Sequence, residues 1–371
     1  MSGSRPSATP NGKALHRLFQ TAGIDLVCGP LFGTPPEPLP ESLDFGKVEG
    51  MMLGLAVGDG LGNTSEGMLP SDRRHRHGEV CDYLANRHAG GRHVGLPSDD
   101  SQLAFWTLEQ MLADSGFVPA NIAARFARDR IFGIGQAVSE FVENHRSGLP
   151  WHECGARSAG NGALMRIAPV IIPHLRSGTP ELWVDTALAA MLTHNDAGST
   201  AACLAFVALL WRLLAMTTPP PREWWLEAYV EVAKGLEGEK DYRPRGGQFR
   251  SYSGPLWQFV AQSVTEACRA GDSVLDACDR WYSGAYLLET VPSVIYILMQ
   301  YGHDPEQAII RAVNDTKDND TIAAIIGAAV GALHGAAGLP ARWIKNLLGR
   351  TTESDDGKVF ELLAQAREEW R

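Results

Sequence analysis

Cysteine chemistry is the first thing the 371-residue chain lacks. Its six cysteines, Cys28, Cys81, Cys154, Cys203, Cys268 and Cys278, are scattered and form no C-x-x-C pair. That spacing excludes a cysteine zinc site and a small disulfide framework, and reduced thiols in a cytoplasmic protein are the simplest reading. Basic charge is also short. Lys and Arg number 33 against 43 Asp and Glu, a net charge of −10, so no nucleic-acid partner is expected. One cluster, Arg73–His77 (RRHRH), runs against that balance and reads as a solvated loop. No positively charged stretch followed by an apolar core opens the chain, so no signal peptide is expected. The most apolar window, Ala201–Met216, carries Arg212 and is short for a membrane span. It reads as a buried helix, with no membrane partner. Strand-type alternation is sparse, and neither a β-α-β order nor a fixed-period repeat is present. What remains is an all-α fold in one domain, residues 45–371.

Residues 1–40 differ from the rest. They are rich in Ser, Gly and Pro, with TPPEPLP at Thr34–Pro40, a composition poorly suited to a packed core. Within them Ala14–Ile24 places Leu15, Leu18 and Phe19 at helical spacing. Two readings stand: a flexible tail, or an arm that docks on its own body or on a partner. Beyond Phe45 the pattern is helical nearly throughout. The polar segment Glu237–Ser253 reads as a mobile loop between helices.

The stretch that organises the chain is Asp315–Gly335, DTKDNDTIAAIIGAAVGALHG. Asp318, Asp320 and Thr321 crowd the start of a small-residue apolar run, Ile322–Ala332, that reads as a buried helix. Acids suit a helix N-terminus, so an Asp-rich cap is one reading. A hard cation that relieves the repulsion between the two carboxylates is the other. Leu96–Gln102 (LPSDDSQ) echoes the composition: Ser98, Asp99 and Asp100 again put a hydroxyl and two carboxylates at a helix start. If folding joins the two trios they offer six oxygen ligands, a set that fits Mg²⁺, Mn²⁺ or Ca²⁺ rather than zinc. Further polar points are Asp59 and Glu66 in GDGLGNTSEG, each readable as a solvent-facing loop acid. Gly160, Asn161 and Gly162 form a turn before an apolar segment that reads as helix, and their N–H groups can receive an anionic ligand. His194 reads either as a ligand contact or as a helix-end histidine.

Taken together, GDGLGNTSE at 58–66, SDDS at 98–101, GNGALMR at 160–166, Thr193-His194 and DNDTIAAIIGAAVGA at 318–332 resemble the motifs of the ADP-ribosylglycohydrolase family, in family order over about Val48–Gly338. The resemblance implies a compact all-α helical domain with a binuclear magnesium cleft, Mn²⁺ being a possible substitute. It implies metal ligation by Ser98, Asp99, Asp100, Asp318, Asp320 and Thr321. It also implies substrate contact at Gly160, Asn161, Gly162 and His194, and a catalytic carboxylate among Asp100, Asp318 and Glu66. The activity implied is removal of ADP-ribose from arginine side chains of modified proteins, with serine, O-acetyl or free ADP-ribose as alternative substrates. Two Mg²⁺ ions would hold the ribose hydroxyls and orient a water. Residues 1–40 lie outside the family pattern, and motivate a third expectation: an immunity protein that also blocks an ADP-ribosyltransferase toxin through this arm. There are departures from the pattern. Thr316 and Lys317 replace two glycines of the last motif, Ser98 stands where many members have Thr, and Ser158-Ala159 stands where some have Asp.

Overall fold

A computed structural model describes residues 9–371. In chain order its α-helices are α1 (Pro10–Gln20), α2 (Phe45–Gly62), α3 (Pro70–His77), α4 (Asp99–Asp114), α5 (Pro119–Arg128), α6 (Gln136–Arg146), α7 (Glu181–Met191) and α8 (Ala197–Ala215). They continue with α9 (Trp224–Ala233), α10 (Leu256–Ala270), α11 (Val274–Trp281), α12 (Leu287–Tyr301), α13 (Pro305–Asp315), α14 (Asn319–His334), α15 (Ala341–Asn346) and α16 (Lys358–Trp370). Among the described residues the one sheet is the two-residue antiparallel pair Ala85–Asn86 and Arg92–His93. The fold is all-α, as expected.

The centre of the molecule is the pair α2 and α14. Both are buried on every side. Their sequences explain how they meet. Gly50, Gly54, Gly58 and Gly62 recur every four residues on α2, and Gly327 and Gly331 answer them on α14. A methyl group on Gly54 or Gly58 would overlap the backbone of residues 323–327, and one on Gly331 would overlap Gly50. The two backbones therefore touch along a stripe without side chains. The stripe ends at Gly62, which lies against Asp320 at the start of α14.

Around this pair pack the apolar faces of the other helices. The helix α8 is long and apolar enough to cross a membrane, but 94% of its most apolar window lies inside the protein. It is a core helix.

Four expectations change. Arg73–His77 is the body of α3 rather than a solvated loop, and Arg73 is wholly buried. The segment after the Gly-Asn-Gly turn is not an α-helix; it continues as short 3-10 turns, Leu164–Arg166 and Ala168–His174, because Pro169 and Pro173 break the ladder. Glu237–Ser253 is irregular but anchored. Glu237 and Tyr242 are buried, the Tyr242 hydroxyl donates to Asp196 (2.8 Å), and Lys240 donates to Asp196 (2.6 Å) and to Asp25.

The N-terminal arm also differs from the flexible-tail reading. Residues 1–8 of that arm lie outside the described residues. From residue 9 the chain is folded onto the body. In α1, Leu15 and Leu18 are buried, and Asn11 donates to Phe117 O (2.8 Å) and Asp185 (2.7 Å). The Trp183 and Trp211 indoles then donate to Thr34 O and Glu37 O.

Candidate functional site

Three helix ends converge at the end of the glycine stripe: the last turn of α2, the first turn of α4 and the first turn of α14. They carry Asp59, Asp100 and Asp320. One carboxylate oxygen from each lies within 4.8 Å of the other two, and all three residues are buried. The two trios expected from the sequence therefore face each other, although about 220 residues separate them. Ser98 Oγ donates to Asp100 Oδ2 (2.8 Å), and Thr321 Oγ1 donates to the same oxygen (3.5 Å). Asp99 and Asp318 are half-buried beside this nest, and Glu66 is exposed at its mouth.

Asp59 was not foreseen as part of the site. GDGLG reads locally as a turn; in the structure it is the last turn of a helix. Its carboxylate accepts from Ser98 N (3.0 Å), Ser101 N (3.1 Å) and Asn63 Nδ2 (3.1 Å), so it clamps the start of α4 to the end of α2. The signal that could have found it is the four-residue glycine spacing, which runs unbroken through Gly58 and Gly62.

Arg73, one of several basic residues in its segment, is also part of the site's support. Its guanidinium donates to Ser65 Oγ (3.0 Å), Met68 O (3.0 Å), Asn314 O (3.2 Å) and Thr316 O (3.0 Å). It therefore ties the Ser65–Met68 loop, which carries Glu66, to the end of α13 just before Asp318. Burial pulls its pKa down to about 10, partly offset by Asp320 and Asp315, so it stays charged at neutral pH.

The electrostatics test the site for a cation. Burial raises Asp59, and raises Asp99, Asp100 and Asp320 well above the ordinary carboxylate range; the neighbouring carboxylates push the last three further. Burial also carries Asp318 up to about 6 against the hydrogen bond from Asn161, and raises Glu66, with Asp59 adding to the effect. Asp100 Oδ1 is buried with no hydrogen-bond partner among the described residues. A crowd of oxygen donors with an unpartnered oxygen at its centre fits a hard divalent cation such as Mg²⁺ or Mn²⁺.

The residues expected to bind substrate sit on the Asp318 side. Asn161 Nδ2 donates to Asp318 Oδ2 (2.5 Å) and to Thr290 Oγ1 (2.9 Å), so its amide positions a carboxylate. The expected anion cradle at Gly160–Gly162 is largely used up: Gly160 N donates to Ser158 Oγ (3.2 Å) and Asn161 N to Ala285 O (3.2 Å). His194 is buried behind this turn with its ring against Gly162. Arg166 donates to Thr193 Oγ1 (2.7 Å), and the Thr193 hydroxyl is hydrogen-bonded to His194 Nδ1 (2.9 Å). Burial and Arg166 lower the His194 pKa to about 3, so the ring is neutral.

A model of the ADP-ribosylglycohydrolase family matches residues 40–370. The chain belongs to the ADP-ribosylglycohydrolase family. Among its relatives is the ADP-ribosylarginine hydrolase Tri1 of Pseudomonas putida, 26% identical over 317 residues that cover 81% of this chain and 74% of that one. The ADP-ribosyl-[dinitrogen reductase] glycohydrolase of Rhodospirillum rubrum is 25% identical, with 85% and 95% covered. The ADP-ribosylhydrolase ARH3 of Homo sapiens is 26% identical, with 68% and 74% covered. A solved chain of an ADP-ribosylglycohydrolase-related protein complex superposes with a TM-score of 0.64 at 25% identity, covering 88% of this chain and 98% of the other. In this member of the ADP-ribosylglycohydrolase family, the nest of Asp59, Asp100 and Asp320 is the buried acidic centre.

Proposed function

We propose that the chain hydrolyses the N-glycosidic bond between ADP-ribose and an arginine side chain of a modified protein, with Mg²⁺ as its metal. The observation that carries this reading is the buried carboxylate nest of Asp59, Asp100 and Asp320, with Asp99 and Asp318 beside it and Glu66 at its mouth. Ser98, Asp99, Asp100, Asp318, Asp320 and Thr321, joined by Asp59, would hold the cations. A divalent cation in such a nest supplies positive charge toward ribose hydroxyls and acidifies water.

The chain's own residues do the rest. Cleavage passes through an oxocarbenium-like state in which the anomeric carbon–nitrogen bond breaks as a water oxygen adds. One carboxylate must take the water proton. Asp100 is tied to Ser98 and Asp318 to Asn161, whereas Glu66 is exposed at the mouth. Being exposed and not held by a neighbouring side chain among the described residues, Glu66 is the group assigned to that proton. The proton then passes to the departing guanidine. Asn161 fixes Asp318, and Arg73 fixes the loop that carries Glu66.

The test is release of ADP-ribose by Asp100→Ala and Asp320→Ala. Both are expected to lose turnover, and near-normal turnover in both removes the cation centre from the account. Arginine-, serine- and O-acetyl-linked ADP-ribose, assayed side by side, decide the linkage. Six unpaired cysteines support a cytoplasmic setting. An added immunity role would need a transferase toxin to meet residues 9–40 as a folded surface. Equal capture of the transferase with and without residues 1–40 would remove the arm from that role.

A further inference from the structure

Beside Asp318 lies an ion pair that none of the site's duties explains. Glu289, in the first turn of α12, has a wholly buried side chain, and its partner Arg245 comes from the anchored segment 237–253. The guanidinium grips the carboxylate with both edges: Nε to Oε1 at 3.1 Å and Nη2 to Oε2 at 2.8 Å. It also lies over the Tyr286 ring, 4.8 Å from the centroid. The Arg245 side chain itself is 56% exposed. A buried acid is thus covered by a guanidinium that reaches in from outside.

The pair adjoins the reaction centre. Thr290, next to Glu289, accepts from the same Asn161 amide that holds Asp318. The charges of both Glu289 and Arg245 are felt at Asp318. Gly284 packs directly on the Glu289 carboxylate, where a Cβ would not fit. A guanidinium suits the Glu289 carboxylate because it is planar, weakly hydrated and forked. Glu237, Lys240 and Tyr242 pin the backbone of the segment, so the exposed Arg245 side chain can swing outward without moving the loop.

We propose that Glu289, with Tyr286 beside it, is the subsite for the guanidinium of the substrate arginine, and that Arg245 is an internal stand-in which the substrate displaces. This rests on the arginine-linked reading above and deepens it. The segment 237–253 then acts as a selectivity element: only a side chain that competes as a guanidinium can take the pocket. A resident that fills a subsite about nine-tenths of the time weakens apparent affinity about tenfold.

The test separates occupancy from simple structural pairing. Methylguanidinium is titrated calorimetrically into the full chain with Mg²⁺ and ADP-ribose present, for wild type, Arg245→Ala, Arg245→Gln and the double variant Arg245→Ala/Glu289→Gln. Arg245→Ala is expected to bind about tenfold tighter than wild type, and the double variant to lose the gain. Arg245→Gln, which keeps a donor toward Glu289, guards against a folding failure and is expected to exceed wild type as well. Equal binding by wild type and both single variants overturns the subsite, as does a gain that survives Glu289→Gln. In parallel, Arg245→Ala should lower KM for the arginine-linked substrate and leave KM for the serine-linked one in place. If arginine-linked ADP-ribose is cleaved but its KM does not fall, only the subsite fails. Cleavage of the serine linkage alone would instead overturn the arginine reading, and the subsite's role with it.

Discussion

At the residue scale, the acids around the cleft divide by how firmly they are held. Asp59 accepts from three donors, Ser98 N, Ser101 N and Asn63 Nδ2, so its part is to hold a cation in place rather than to move a proton. Asp59→Asn removes one negative charge from the nest and sets an amide NH2 against N–H donors that now meet a carboxylate oxygen. The expected result is a loss of Mg²⁺ affinity of about 10–100-fold, read by calorimetry. Glu66→Gln should behave differently. Mg²⁺ binding is expected to persist while kcat falls by about 10²–10⁴-fold, the range for a lost general base. A Glu66→Gln enzyme with unchanged kcat would take the base assignment away from Glu66. Glu237 offers a pH test outside the cleft. Burial lifts its pKa from 4.5 to about 8. The folded state therefore holds a proton that the unfolded chain releases, so this group's stabilisation is complete below about pH 4.5 and is lost as pH rises to about 8. Glu237→Gln should gain stability relative to wild type between pH 5 and pH 8, read as the difference in urea midpoints at the two values.

At the scale of elements, α2 and α14 decide where the acids end up. Their contact is backbone on backbone, so no side chain can yield when one is enlarged. Gly54→Ala and Gly58→Ala are each expected to cost about 3 kcal/mol or more by urea denaturation, at or above the upper end for overpacked sites. They should also weaken Mg²⁺ binding, because Asp59 and Asp320 sit at the end of the same seam. A variant that loses stability but keeps its cation affinity would show that the seam and the nest are independent. Much of this level was legible in the sequence. Ser98–Asp100 and Asp318–Thr321 stand out because a hydroxyl and two acids open an apolar helix in both places. Asp59 was hidden because Gly-Asp-Gly has the same composition in a turn and in a helix pressed against another backbone. Arg73 was hidden by the basic residues around it, since only tertiary contact separates a buried arginine from exposed ones. The Arg245–Glu289 pair has no local signal, because its partners lie 44 residues apart.

At the scale of the molecule, the all-α architecture follows from composition and periodicity, but the course of residues 9–40 does not. Proline and glycine there suggest looseness, whereas the segment is held by its own buried Leu15 and Leu18 and by tryptophan indoles supplied by distant helices. Leu18→Ala is expected to cost about 2–5 kcal/mol by denaturant unfolding, the cost of a core leucine. A change within error would mean that α1 adds little to the fold. The segment also reaches the cleft side: Asp25 N donates to Asn195 Oδ1 (3.0 Å), and the Asp25 carboxylate pairs with Lys240 of the 237–253 segment.

The glycine seam would also tie a cation bound in the nest to the molecule's deepest hydrogen bonds. A cation caught between the tips of two helices that share one groove fastens the spine rather than an outlying flap. Stripping it with a chelator should therefore quicken deuterium uptake along α2 and α14, while the surface helix α16 exchanges as before.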